Sequence, residues 1–217
     1  MSDIVRSGKV DWTGDNPFVY LKTDPHGPWS SLSLFFRVTA SDFGPGHLVL
    51  AVEQPSCASG DRTSKPDPGA VRLALTDNEP LARFLIDDFV RAFVLFRPAK
   101  AALDALDLVT GAEFTQSGDG VTTLTEAART ADRSLALTWE GLGEPFAVDV
   151  PATESGTRRH EMFSVFRVAS GARVEADGRR LPGSTVERDF LNGRGQSAAL
   201  ALSETWVRDD SAAPAGR

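Results

Sequence analysis

The feature that most constrains this fold is an alternation of apolar and polar residues with a period of two. In the segment 31–40, every even-numbered residue from Leu32 to Val38 is apolar. This period is that of a β-strand, whose successive side chains point to opposite faces. Similar short runs cover residues 17–23, 47–54, 70–75, 121–125, 134–140, 145–150, 160–169, 172–176 with 179–181, and 197–207. The sequence therefore predicts about ten short strands, mainly antiparallel.

One region has a helical period instead. Thr76 and Glu79 have the spacing of a capping box, which predicts that a helix begins here. Apolar residues then recur at helical spacing as far as Phe96, and residues 99–108 are expected to form a second short helix. The period leaves open whether residues 89–96 end the first helix or form a buried strand.

The number of strands favours a closed arrangement. An open antiparallel sheet of about ten strands would twist heavily and leave two long edges unpaired. We therefore predict an all-β barrel of about ten short strands with one or two inserted helices, and a β-sandwich is the alternative. With 217 residues, the chain is expected to form a single domain over residues 1–210, followed by a disordered tail at 211–217.

Two connecting segments carry specific expectations. Asp177-Gly178 lies between alternating runs and predicts a two-residue type I′ hairpin, because glycine accepts a positive φ. The segment from Pro55 to Gly69 is rich in Ser, Asp, Pro and Gly. Such a segment is interpreted either as a mobile lid or as a disordered insertion.

Charge and cysteine content argue against several classes of protein. Lys and Arg number 23 and Asp and Glu number 30, a net charge of −7 at pH 7. A protein this acidic repels nucleic acid unless its cations share one face. The lone Cys57 allows no intramolecular disulfide. No secretion signal is visible, and the densest apolar run, 89–96, is too short to span a membrane. We expect a cytoplasmic protein with no nucleic-acid or membrane partner.

Common catalytic and cofactor motifs are absent from the sequence. It contains no Gly-x-Ser-x-Gly elbow, no phosphate-binding loop and no His-Glu-x-x-His zinc motif. Residues 193–198 match the letters of the dinucleotide-binding Gly-x-Gly-x-x-Ala string, but strand-like residues rather than a helix follow them. The histidines, His26, His47 and His160, show no metal-ligand spacing. We therefore expect neither a cofactor nor a metal.

Polar residues recur on the strand faces opposite the aliphatic ones, and in a barrel one face points inward. A few convergent polar groups between apolar walls suit a small, mostly apolar ligand. Arg167 and Arg37 are the candidates for binding an oxyanion or a carbonyl oxygen. Glu53 and Glu204 are the candidates for acid–base catalysis. All four choices depend on which face of each strand points inward.

Five further residues are candidates for contacting a substrate. Tyr20 offers a hydroxyl for hydrogen bonding, and Trp139 and Trp206 offer apolar walls. Phe166 and His47, which also lie on predicted strands, complete this set.

At the level of pattern, most of the chain resembles a lipocalin-like (calycin) barrel. The resemblance lies in the many short meander strands, the inserted helix and a closing strand that carries Ser203-Glu204-Thr205-Trp206. Lipocalin-like barrels include carriers of apolar molecules, and also cofactor-free cyclases, isomerases and hydratases of secondary metabolism. The resemblance implies these activities without choosing among them.

Three functions are therefore open at the level of sequence. The first is a cofactor-free cyclase, isomerase or hydratase that acts on an apolar, polyketide- or terpenoid-like molecule in the barrel cavity. The second is a non-catalytic carrier of an apolar ligand. The third is a structural or partner-binding β domain with a filled core. The sequence does not determine the oligomeric state.

Overall fold

A computed structural model describes residues 8–55, 67–191 and 193–208 and confirms that the chain is mainly β. The strands are β1 (Lys9–Asp15), β2 (Phe18–Leu21), β3 (Ser31–Ser41), β4 (Gly46–Glu53), β5 (Arg72–Thr76), β6 (Asp107–Thr110), β7 (Glu113–Gly118), β8 (Thr123–Arg129), β9 (Ser134–Leu142), β10 (Phe146–Val150), β11 (His160–Ala176), β12 (Arg179–Arg180), β13 (Glu187–Phe190), β14 (Gly193–Gln196) and β15 (Ala198–Arg208). Cys57, the predicted tail at 211–217 and most of the 55–69 segment lie outside the described residues.

Most of the strands belong to one large mixed sheet. Its order is β6-β5-β4-β3-β1-β15-β11-β9-β8-β7, with β2, β10 and β12 paired to strands of this path. The β5–β6 pair is parallel, and the other pairs of this sheet are antiparallel. Strands β6 and β7 are the two ends of the order, and no ladder joins them within the described ranges. Strands β13 and β14 pair with each other in a separate two-stranded ribbon.

Two apolar cores lie on opposite faces of this sheet. The first core contains Trp12, Leu34, Phe36, Leu50, Phe89, Phe96, Met162, Phe166 and Trp206, together with smaller residues. The second core contains Phe35, Val49, Leu73, Leu75, Leu135, Leu137, Trp139 and Val174, together with smaller residues. The helical segment covers the first core, and β8, β9 and the end of β11 cover the second.

Because both faces of β3 and β4 are packed, neither strand presents a polar face to an open cavity. Residues 31–36 of β3 are all buried, and so are residues 48–53 of β4. Phe35 and Phe36, which point to opposite faces, are both fully buried. The expectation of one apolar and one polar face is therefore wrong for β3 and β4, because the first core covers one face of these strands and the second core covers the other.

The helical region begins near the predicted position but is broken into short pieces. It consists of α1 (Glu79–Phe84), a π turn at Leu85–Phe89, a 3₁₀ turn at Val90–Ala92, a second 3₁₀ turn at Arg97–Ala99 and α2 (Lys100–Asp104). The N-cap is Asn78 rather than Thr76, since the Asn78 side chain accepts a hydrogen bond from Leu81 N–H. The second helix stops at Asp104, because residues 107–110 pair with β5 as strand β6. The backbone of residues 89–96 forms turns, not a strand.

The Asp177-Gly178 hairpin is confirmed. Asp177 has φ 50° and Gly178 has φ 75°, and Ala176 pairs with Arg179 across the two-residue turn. This hairpin ends β11, which runs as one strand of 17 residues where the sequence predicts two. None of the helices in the described part of the chain has the length and apolar run needed to cross a membrane.

Candidate active site

Four aromatic side chains form a cluster at one end of the first core. We call Phe18, Tyr20, Phe166 and Phe190 the aromatic cluster. Phe18 and Tyr20 project from the same face of β2 and stack with ring centroids 4.8 Å apart. Phe190 of β13 lies 5.8 Å from Phe18 and 5.1 Å from Phe166 of β11. Two strands of the main sheet and the β13–β14 ribbon therefore meet at one apolar surface.

A carboxyl group, that of Glu204, is buried in the same core. Its residue is 2% exposed, and Trp206 Nε1 donates a hydrogen bond to Glu204 Oε2 at 2.8 Å. Ser203 has φ 52° and lies where the β11–β15 register shifts. This irregularity interrupts the alternation of β15, so that Glu204 faces the inside together with Trp206, although a charged residue near a strand end is usually exposed.

Burial determines the protonation of Glu204. Removal from water raises the pKa of this carboxyl from about 4.5 to about 8, and the charge of Asp15 adds to the rise. Hydrogen bonds from Trp206, Asn16 and Ser164 oppose the shift but do not cancel it. Glu204 is therefore mostly protonated at pH 7 and can donate a proton.

Two more polar groups face the aromatic cluster. Tyr20 is buried, and removal from water raises the pKa of its hydroxyl, which keeps it neutral. The Arg188 guanidinium carbon lies 5.7 Å from the Phe18 ring centroid, 5.5 Å from that of Tyr20 and 5.3 Å from that of Phe190. Arg188 Nε is buried and has no hydrogen-bond partner among the residues that the structure describes. Glu204 also interacts with Tyr20, so a neutral acid, a neutral hydroxyl and a cation all lie in or beside the aromatic cluster.

The structure places four of the nine predicted site residues on the side of the sheet that carries the first core. Glu204, Tyr20, Trp206 and Phe166 all belong to or border the first core. Arg188 is absent from the sequence-based prediction. The alternation of Arg188 and Phe190 with Glu187 and Asp189 is a signal that could have revealed it, since it places a cation beside an aromatic ring on one strand face.

Arg167 has a structural role instead of the predicted oxyanion-binding role. Its guanidinium donates to the carbonyl oxygens of Gly143 at 2.9 Å, Gly120 at 2.7 Å and Val121 at 2.7 Å. These bonds hold the guanidinium against two loops, on the face of β11 opposite that of Phe166. The prediction for Arg167 is not supported, because its donors are already engaged.

Arg37 is engaged in a similar way. It donates to Asp15 Oδ2 at 3.1 Å and to Glu126 Oε1 at 2.7 Å. Gln116 donates to the same Glu126 oxygen at 2.6 Å. With two carboxylates as partners, Arg37 lacks the free charge that the predicted oxyanion role requires.

Trp139 and His47 also lie away from the aromatic cluster. Trp139 is fully buried in the second core, where its Nε1 donates to the Phe18 carbonyl oxygen at 2.9 Å. His47 Nδ1 lies 2.6 Å from Asp77 Oδ2, and the ring stacks on Phe114 at 4.8 Å. Both rings lie on the face of the sheet that carries the second core, opposite the aromatic cluster, so their predicted substrate contacts are not supported.

Glu53 is buried but forms an ion pair with the exposed Arg179, so it is not a free acid or base. Arg179 Nη2 donates to Glu53 Oε2 at 2.7 Å, and Val71 N–H donates to the same oxygen at 3.0 Å. Burial opposes ionisation, but the bonds from Arg179 and Val71 prevail and lower the pKa of Glu53. This pair connects the end of β4 to the β11–β12 hairpin.

We expect Glu53→Gln to cost about 1–2 kcal/mol at pH 7, because it removes a charge-assisted hydrogen bond. Since the folded-state pKa is lowered, the contribution is present above about pH 4.5 and is lost at lower pH. Urea unfolding at pH 7 and pH 3 measures both effects. The matched control is Glu140→Gln, which breaks the exposed pair with Arg173; equal losses in the two variants would contradict the structural role of Glu53.

A second polar cluster, which the sequence did not predict, lies around His160. His160 Nε2 lies 2.7 Å from Asp11 Oδ2, and its Nδ1 lies 2.9 Å from Thr157 Oγ1. Arg208 Nη2 donates to Asp11 Oδ1 at 2.6 Å. Asp11 and His160 line a cleft of about 250 Å³. The imidazole stacks on Phe89 at 4.6 Å, and both of its nitrogens have protein partners, which indicates a structural role.

The described residues contain no group of three or more His, Cys, Asp and Glu side chains that could hold a metal ion. No protein-family model, curated protein or solved structure matches this chain. The proposed function therefore depends on the chemistry of the aromatic cluster and of Glu204.

Proposed function

We propose that the aromatic cluster binds an apolar small molecule and that the buried Glu204 carboxyl transfers a proton to it in a cofactor-free cyclisation, isomerisation or hydration. The observation that carries this proposal is the position of Glu204, a fully buried carboxyl held by Trp206 beside aromatic side chains. A carboxyl without a cationic partner is rare in a core, because its burial is costly unless it serves a function.

The proposed reaction uses Glu204 as the acid and then as the base. The carboxyl gives its proton to a double bond or a carbonyl oxygen of the substrate, which leaves a cationic carbon and a carboxylate. Loss of a proton from a neighbouring carbon to the Glu204 carboxylate completes an isomerisation, and the same loss completes a cyclisation after a double bond of the substrate has attacked the cationic carbon. In a hydration, water attacks the cationic carbon and the resulting oxonium group returns a proton to the Glu204 carboxylate. The faces of Trp206, Phe166 and Phe18 would stabilise the positive charge.

The binding place proposed here is not the interior expected from the sequence. Large side chains of the second core, such as Phe35 and Trp139, fill the space between strands β3–β5 on one side and β8, β9 and the end of β11 on the other. The aromatic cluster lies on the other face, between β2, β11 and the β13–β14 ribbon. We place the ligand between the ribbon and the sheet. Asn16, whose side chain donates to Glu204, has a buried Oδ1 with no hydrogen-bond partner among the described residues, and this oxygen supports a polar contact beside the carboxyl.

A lipocalin-like closed barrel also remains part of the proposal. The chain leaves β6 at Thr110 and enters β7 at Glu113, and these strands are the two ends of the sheet order. One continuous segment thus passes from one end of the sheet to the other, which supports closure.

The test is to incubate the protein with polyene, polyketide and terpenoid metabolites and to search for products by chromatography and mass spectrometry. We expect a product of unchanged mass, or of mass increased by one water. Glu204→Gln should slow its formation by roughly 100-fold or more, since a general acid typically contributes that much. The exposed Glu140→Gln serves as the control and should retain the wild-type rate.

Binding measurements separate the alternatives. Saturable one-to-one binding of an apolar fluorophore without any product would make the protein a carrier. No binding of any apolar probe would overturn both the enzyme and the carrier, and would leave a β domain with a filled core.

A further inference from the structure

Among the described residues, the β13–β14 ribbon packs its side chains on the main sheet but forms no backbone ladder with it. Its strands pair with each other between Glu187 and Gln196 and, within the described residues, with no other strand. At its base, Ser197 N–H donates to the Val186 carbonyl oxygen at 2.9 Å, and Ser197 Oγ donates to the Tyr20 carbonyl oxygen at 2.7 Å. The ribbon therefore covers the aromatic cluster like a flap whose base is held at Tyr20.

The inner face of this ribbon carries Arg188 and Phe190. Glu187 and Asp189, which alternate with them along β13, point outward and pair with the exposed Arg194. Arg188 forms no salt bridge with any described carboxylate, although two acids flank it in sequence. Glu187 and Asp189 are therefore paired with Arg194 on the outer face of the ribbon, whereas Arg188 lies over the aromatic rings on its inner face.

An arginine in this position has unused hydrogen-bonding capacity. A guanidinium has five N–H donors and matches a carboxylate with two parallel bonds. The ring faces stabilise the positive charge but accept no strong hydrogen bonds, and Nε of Arg188 is buried without a partner. An anionic oxygen group between the ribbon and the rings would satisfy these donors.

We infer that Arg188 binds the anionic group of the ligand, so that the ligand is an apolar molecule with one carboxylate or enolate oxygen group. This inference rests on the proposed function, because it assigns the ligand class of the same site. The apolar part of the ligand packs on Phe18 and Phe166, and the ribbon closes over it with Phe190. The residue that fills the oxyanion-binding role predicted for Arg167 and Arg37 is then Arg188.

Two fluorescent probes with the same aromatic frame test this inference. 1-Anilinonaphthalene-8-sulfonate carries an anionic group, and N-phenyl-1-naphthylamine is its neutral counterpart. We expect the wild-type protein to bind the anionic probe at least tenfold more tightly, the effect of a charge-assisted hydrogen bond. Arg188→Gln should abolish this preference and leave the affinity for the neutral probe within about twofold, whereas Arg188→Lys should restore part of it.

Arg194→Gln is the matched control, since Arg194 is on the same ribbon but exposed and paired with Asp189 and Glu187; this variant should keep the wild-type preference. Circular dichroism of each variant confirms that it is folded. Equal wild-type affinity for the two probes would overturn the role of Arg188 and leave the proposed apolar site intact. An equal loss of both probes in Arg188→Gln would show that Arg188 only packs, and no binding of either probe would overturn the proposed function itself.

Discussion

Replacing Glu204 with glutamine is expected to stabilise the protein at alkaline pH by about 3–5 kcal/mol. Glutamine keeps the shape of the side chain and an oxygen that accepts the bond from Trp206 Nε1. It carries no charge at any pH, so the cost of burying an ionised carboxylate disappears.

The direction follows from the two pKa values of Glu204. The folded-state pKa of about 8 lies above the value of about 4.5 expected for the unfolded chain. The stabilisation due to the protonated carboxyl is therefore fully present below pH 4.5 and is lost as the pH rises through 8. The free energy of unfolding of the wild type should fall across this range relative to that of Glu204→Gln.

Urea unfolding of both proteins at pH 5, 7 and 9 measures this difference. The advantage of Glu204→Gln should be small at pH 5 and largest at pH 9. Glu187→Gln is the control, because Glu187 is exposed and should give no such trend. A difference that does not change with pH would mean that Glu204 titrates alike in both states, and the proposed proton donor would then be wrong.

The same buried carboxyl shows how far sequence reasoning extends. The period of two in residues 197–207 correctly predicts β15, and the position of Glu204 beside Trp206 suggested an inward-facing acid. The alternation alone does not determine the face, because Ser203 adopts φ 52° and the register with β11 shifts there. A one-residue shift of this kind moves every later side chain to the other face, and it depends on the partner strand rather than on local sequence.

Partner strands also explain the candidates that the structure placed elsewhere. Arg167 lies on β11 just as predicted, but loops distant in sequence supply the carbonyl oxygens of Gly120 and Gly143 that engage it. Arg179, which is 126 residues away in the chain, forms an ion pair with Glu53, so this carboxylate is not a free acid. Local patterns predict strands well, whereas the charge state of a side chain depends on contacts between residues far apart in sequence.

The second large effect is expected from Asp11, which lies at an irregularity of the β1–β15 pair and is 5% exposed. Its two carboxylate oxygens contact His160 Nε2 and Arg208 Nη2 at 2.7 Å and 2.6 Å. We expect Asp11→Asn to destabilise the protein by about 3 kcal/mol at pH 7, because it removes the charged acceptor of the buried His160 and of the half-exposed Arg208. Urea unfolding checks this, with Asp42→Asn as the exposed control, since the Lys9–Asp42 pair lies at the surface, where solvent screens it, and its loss should have little effect.

The cost of Asp11→Asn should also grow as the pH falls from 7 to 5. Burial lowers the pKa of His160 below 6.5, while the hydrogen bond and charge of Asp11 oppose this shift. A lowered folded-state pKa means that stability is present above about pH 6.5 and is lost as the pH falls through the folded value. Without the Asp11 charge the pKa of His160 falls further, so the unfolded chain gains protons over a wider range. A loss below 1 kcal/mol that stays constant from pH 7 to pH 5 would contradict the assignment of Asp11 as the shared acceptor of His160 and Arg208.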